Sequence, residues 1–203
     1  MHDMKALDIQ NGEEITGYRV KIASKPSFQI TGYTIVIPPN DQTAMTSRFV
    51  RDVSSDGRLD SLKKASSVPA YIVWLGSWDS ECKPGGMRYT ACIEETDHTD
   101  FSCLLPGYPQ HTQRFEACDW MCFEIPQERF DTGQFWKDDP YRMLRVLGYR
   151  FHVRVGVHFD AAPPDHDEMK EPCREFWISV AKQTVECDVC PVREECAKIQ
   201  HFM

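Results

Sequence analysis

Residues 173–182 read CREFWISVAK, a run of aromatic and β-branched residues without glycine that alternates with the period of a β-strand. Phe176, Ile178 and Val180 fall on one face, and Glu175, Trp177 and Ser179 on the other. A carboxylate beside a large indole suits neither a dry core nor open solvent. It suits the wall of a pocket for something flat and apolar. A half-buried carboxylate is costly unless paired, which favours a cationic guest, and indole faces attract cations further. The same carboxylate facing a water molecule would be a general base. The plainer alternative places Glu175 at a strand edge or pairs it with an arginine such as Arg154. Trp74, Trp78 and Trp120 are each assigned to the more polar face of a strand, together with Glu124 and Ser179, so that with Trp177 they would line one aromatic pocket. Burial in the core is the competing expectation for any one of them. Tyr33 and Tyr89 are further candidates, with hydroxyls that could orient a ligand or a water.

A second chemical feature lies in ECDVCPVREEC (186–196), where Cys187, Cys190 and Cys196 form C-x2-C-x5-C. The C-x2-C spacing lets two thiolates hold one metal from a single turn. Tetrahedral zinc needs four ligands, and His201 or Cys173 could supply the fourth. An iron–sulfur cluster would require another cysteine, and no second C-x2-C pair is present. A disulfide or free thiols are the alternatives to a structural zinc, and no cofactor is required. His158, Asp160, His166 and Asp167 have no diagnostic metal spacing. The chain contains no G-x-S-x-G, no P-loop and no G-x-G-x-x-G, so serine-hydrolase and nucleotide-dependent chemistry are unsupported.

Elements that would position these residues follow from patterning. Residues 18–38 are strand material with a break at Lys25-Pro26. Ala44, Met45, Phe49, Val50 and Val53 recur at helical spacing, and Ser54-Ser55-Asp56-Gly57 ends that helix. Strands at 70–78 and 87–95 complete a β-α-β-β unit. The order then repeats. A strand at 115–126 precedes a short helix punctuated by Asp139 as N-cap, Pro140 as first residue and Gly148 as stop. Strands at 151–160 and 173–182 follow, separated by an acidic, proline-rich loop. The expected fold is therefore α+β, with tandem β-α-β-β modules related by a pseudo-twofold axis, antiparallel sheets and a ligand cleft between the halves. A polar leader (1–17) and a cysteine-rich tail (182–203) flank the domain at 18–181.

The chain has 203 residues, is 41% hydrophobic and 27% charged, and is ordinary for a globular protein of this size. Its net charge of -8 argues against nucleic acid or an anionic membrane as partner. No stretch approaches the roughly 20 apolar residues of a bilayer span, and the first residues lack a signal peptide, so a cytoplasmic location is expected. Nine cysteines, an odd number, fit reduced thiols better than a fully paired secreted scaffold.

In this setting KPSFQITGY (25–33), LGYRF (147–151), HFD (158–160) and EFWISV (175–180) resemble, in order and spacing, the motifs of the GyrI-like family, the effector-binding domain of AraC-type and multidrug-responsive bacterial regulators. Ser179 stands where the family's closing strand has a proline. The resemblance covers roughly 18–181. It implies a pocket between two halves for hydrophobic, often cationic small molecules, with Glu175 matching the family's strand carboxylate. The leader is too short for the helix-turn-helix that precedes this domain in regulators, so the resemblance implies a stand-alone binder. A subset of such relatives opens strained rings hydrolytically, which would cast Glu175 as catalytic base. Another relative acts by protein contact, which makes a protein-contact regulator the third reading.

Overall fold

The computed structural model describes residues 5–8, 12–66, 72–77, 82, 86–152, 157–162 and 173–183. Its elements run β1 (Lys5–Asp8), α1 (Gly12–Thr16), β2 (Arg19–Lys25), β3 (Phe28–Ile37), α2 (Gln42–Ser55), α3 (Arg58–Ala65), β4 (Ile72–Ser77), β5 (Met87–Glu94), β6 (Gln110–Phe115), β7 (Cys118–Pro126), α4 (Gln127–Asp131), α5 (Gln134–Lys137), α6 (Pro140–Val146), β8 (Tyr149–Phe151), β9 (Val157–Ala162) and β10 (Cys173–Lys182). The class is α+β, and the strands join one antiparallel sheet ordered β1-β2-β7-β10-β9-β4-β5-β3-β6, with β8 on β10.

Local signals account for the boundaries. The Asp139 side chain accepts a hydrogen bond from the Arg142 backbone N–H, Pro140 opens α6, and Gly148 follows it in the left-handed region. Gly57, at φ 85°, ends α2 as expected but also starts α3, whose short RLDSLKKA buries Ser61, Leu62 and Ala65. Patterning predicts no helix at α1, α3, α4 or α5 and no strand at β1 or β6, so the expected polar leader (1–17) contains β1 and α1. Patterning also starts β7 three residues early, because Phe115 belongs to β6 and Glu116-Ala117 turn the chain.

The two halves are β3-α2-α3-β4-β5 and β7-α4-α5-α6-β9-β10. They meet where β4 pairs antiparallel with β9, from Ile72↔Ala162 to Ser77↔Val157. Each half begins with a strand that crosses to the other: β2 leads into β3 but pairs with β7, and β6 leads into β7 but pairs with β3. Only Pro26-Ser27 separate β2 from β3, and only Glu116-Ala117 separate β6 from β7, although these strands lie at opposite ends of the sheet path. The sheet must therefore curl until its ends approach. Ring contacts mark the meeting: Phe28 of β3 and Phe115 of β6 lie 5.8 and 6.3 Å from Trp120 of β7.

Curling gives the sheet an outer and an inner face. The outer face carries two cores, one under α2 and α3 around Tyr33, Phe49, Leu62 and Trp74, the other under α4–α6 around Phe123, Phe135, Leu144 and Phe176. The inner face has its own cluster, which includes Ala23, Val73, Leu75, Cys92, Trp120, Cys122 and Trp177. No helix among the described residues is long and apolar enough to cross a membrane.

Candidate functional site

Strand register lines up the inner face in rows. One row runs Arg19–Glu124–Glu175–Ala161–Val73–Cys92 across β2, β7, β10, β9, β4 and β5. The next places Lys21, Cys122 and Trp177 side by side, and the third Ala23, Trp120 and Ser179. β10 therefore has the phase expected from its alternation, with Phe176, Ile178 and Val180 in the outer core. Glu175, Trp177 and Ser179 face inward and are all buried.

Glu175 and Glu124 sit directly opposite each other on neighbouring strands, an unfavourable pairing of like charges. Lys21 resolves it. Its Nζ donates to Glu175 Oε1 at 2.7 Å and to Glu124 Oε1 at 3.1 Å, while Arg19, mostly in solvent, approaches Glu124 at 3.5 Å. The second Glu175 oxygen accepts the Trp177 indole N–H at 2.9 Å. Lys21 Nζ also lies 5.5 Å from the Trp177 ring centroid. Burial alone would lower the pKa of the Lys21 ammonium, but Cys122 and the two carboxylates outweigh it and raise the value. Burial pushes the Cys122 thiol well up as well, so at neutral pH that thiol is uncharged and the carboxylates supply the attraction.

A second inner-face pair lies across the curl, where Lys25 donates to both Glu94 oxygens at 2.8 Å and covers the Phe28 ring at 4.6 Å. Thr34 and Thr90 share a hydrogen bond of 3.0 Å between buried hydroxyls, and Ser77 Oγ is buried with no hydrogen-bond partner among the described residues. The inner thiols are inert. Burial raises Cys92 and Cys122, raises Cys118 to about 11, and with Glu124 and Glu175 raises Cys173, so none is a ready thiolate.

Of the residues expected to share one wall, the structure brings together Glu175, Trp177 and Trp120, with Glu124 and Ser179. It sets Trp74, Tyr33 and Tyr89 on the outer face. Trp74 stacks on Tyr89 with ring centroids 6.3 Å apart and meets Phe49 of α2 edge-on, while the Tyr33 hydroxyl bonds Ser61 of α3 and accepts the Leu105 N–H. The inferred phase of β4 was wrong for a physical reason. Both faces of this strand are buried, so VWLGS carries no polar side to read. Trp78, Arg154, His166, Asp167, Cys187, Cys190, Cys196 and His201 lie outside the described residues.

His158 and Asp160 are outer-face residues. His158 Nδ1 lies 2.7 Å from the Tyr141 hydroxyl, and Asp160 accepts from Arg174 at 2.7 Å. Among the described residues no three histidine, cysteine or acidic side chains are grouped to hold a metal. Cys92, Cys103, Cys118, Cys122 and Cys173 are free thiols.

Lys21 is the site residue that sequence reasoning missed. Its signal was the alternation in YRVKIASK, which sends Arg19 and Lys21 to one face and Val20 and Ile22 to the other. Which strand those cations face is a matter of topology.

No family model matches the sequence, and no curated protein does. Solved structures do share its fold. SAV2435, in a structure with tetraphenylphosphonium bound, superposes with a TM-score of 0.55 at 14% identity over 81% of this chain and 93% of its own. An integron cassette protein from the mobile metagenome of Vibrio cholerae superposes with a TM-score of 0.50 at 13% identity over 89% of this chain and 100% of its own. The fold is the GyrI-like one that the sequence motifs resemble.

Proposed function

We propose that this protein binds hydrophobic small molecules on the inner face of its curled sheet, in the cytoplasm. The observation that carries this reading is the wall itself. Glu175 and Trp177 are locked to each other by the indole N–H, are buried, and face inward from mid-strand beside Lys21 and Glu124. A purely structural sheet would gain more from apolar residues there than from a buried ion pair. The tetraphenylphosphonium held by SAV2435 supports a small-molecule ligand for the shared fold. The hydrolase alternative needs Glu175 to take a proton from water. Both of its oxygens are already engaged, by Lys21 and by Trp177, which favours binding over turnover.

Titration of intrinsic tryptophan fluorescence with flat aromatic compounds tests this directly. Saturable quenching is expected, weakened about tenfold in Trp177→Leu, a loss of about 1.4 kcal/mol. Turnover of an electrophilic ring compound that disappears in Glu175→Gln would replace this reading with the hydrolase. Partners retained after the Trp177 change would favour a protein-contact regulator.

For the tail we propose a structural zinc on Cys187, Cys190 and Cys196, completed by His201 or by Cys173, which is a free thiol at the start of β10. Metal analysis should find about one zinc per chain, lost when Cys187 and Cys190 are both changed to serine. Metal-free protein with an unchanged melting curve would rule it out.

A further inference from the structure

We propose that Lys21 determines the specificity of this wall: it is a tethered ammonium in the seat that a cationic ligand would need, so the site prefers aromatic compounds that are neutral or carry a hydrogen-bond acceptor. The inference rests on the binding reading above and adds the class of ligand to it.

A cation entering an aromatic pocket seeks two things, a carboxylate and the face of an indole. Here both are in use. Glu175 Oε1 is 2.7 Å from Lys21 Nζ, its other oxygen holds the Trp177 N–H, and the Trp177 ring has the same ammonium 5.5 Å from its centroid. Glu124, the second carboxylate of the row, is also engaged by Lys21, at 3.1 Å. A competitor on the same chain acts at the effective concentration set by its tether, on the order of millimolar or more. A free cation must outbid it while the displaced ammonium still has to find solvent.

Lys21 is well placed to stay. It sits in the middle of β2, paired on one side with β7 and on the other with β1, so its stem has little freedom to swing away. Its neighbours hold it protonated. Of its three N–H groups two serve the carboxylates, which leaves one for the oxygen of a ligand that reaches the partly exposed ammonium. The wall thus offers a donor where an unpaired carboxylate would offer an acceptor.

The test uses two probes of similar bulk and opposite character, tetraphenylphosphonium and neutral triphenylphosphine oxide, titrated against the full chain. Wild type should bind the oxide at least about tenfold more tightly than the phosphonium. Lys21→Met leaves Glu175 facing Glu124 with only the largely exposed Arg19, 3.5 Å from Glu124, as a counter-ion. That variant should gain about tenfold or more for the phosphonium and lose affinity for the oxide. Lys21→Met combined with Glu175→Gln should cancel the gain.

If Lys21→Met does not fold, the wild type still decides. Saturating phosphonium should speed acetylation of Lys21, read by peptide mass spectrometry, and the oxide should slow it. Probes that bind without discrimination by charge, or a Lys21 acetylation rate unchanged by either, overturn the proposal while leaving the binding reading intact. No saturable binding of either probe removes the binding reading and this inference with it.

Discussion

Gly32→Ala should unfold the protein or cost it on the order of 4 kcal/mol, beyond the usual range of a single substitution. Gly32 sits in the middle of β3 and pairs with Cys92 of β5 on one side and His111 of β6 on the other. A methyl group built there overlaps the Ala91 carbonyl oxygen and comes within 2.5 Å of Cys92 Cα. Both are backbone atoms of the neighbouring strand, so no side chain can rotate aside to relieve the clash. Glycine in a strand often marks such a close approach of another backbone. Gly76→Ala provides the contrast, because its added methyl meets only the His158 ring, at 3.0 Å. Thermal melts of both variants check the argument. The expected order is a small loss for Gly76→Ala and a collapse, or insoluble protein, for Gly32→Ala. A Gly32→Ala melt that matched the parent would show that β3 and β5 can separate freely at this point, and the sheet would be less tightly drawn than described.

What could be read from the sequence depended on whether a strand had a wet side or a local cap. β10 was legible because Glu175 and Ser179 alternate with Phe176, Ile178 and Val180. α6 was legible because Asp139, Pro140 and Gly148 are local signals that need no tertiary partner. β4 gave no phase, since Val73, Trp74 and Leu75 are all buried on a sheet with cores on both sides. β6 was invisible for the opposite reason. QHTQRF is polar almost throughout, and it becomes a strand at the edge of the sheet by backbone pairing to β3.

The expected cleft between two halves became the inside of a curl, because β2 and β6 exchange partners between the halves. That exchange also brings Lys21 to Glu175, a residue 154 positions away. Spacing and periodicity report what lies within one element. An ion pair between crossed-over strands is set by topology, so the carboxylate could be singled out from sequence while its counter-ion could not.

The seam that joins the halves should be sensitive to acid through His158. This residue lies on β9 where it pairs with β4, with its ring 5.2 Å from that of Phe176 and its Nδ1 2.7 Å from the Tyr141 hydroxyl. Burial lowers its pKa from 6.5 to about 4. Above pH 6.5 the imidazole is neutral in both the folded and unfolded chain, and its full contribution is present. Between pH 6.5 and about 4 the unfolded chain takes up the proton and the folded one does not, so stability falls, by about 3 kcal/mol in all. Below about 4 both forms are protonated and the loss levels off. Asp160, two residues along the strand, runs the other way. Its pKa is raised by burial, partly offset by Arg174, so its protonation in the fold regains stability as pH falls. His158→Gln keeps a hydrogen-bonding group beside Tyr141 and removes the titration together with the ring contacts to Phe176 and Tyr141, so the comparison is of the slope with pH and not of absolute stability. Urea melts from pH 7 to pH 4 should therefore fall more steeply for the wild type than for the variant, with the difference confined to that window. Parallel curves would mean that the histidine reaches water at the seam, and that the two halves part there more easily than their packing suggests.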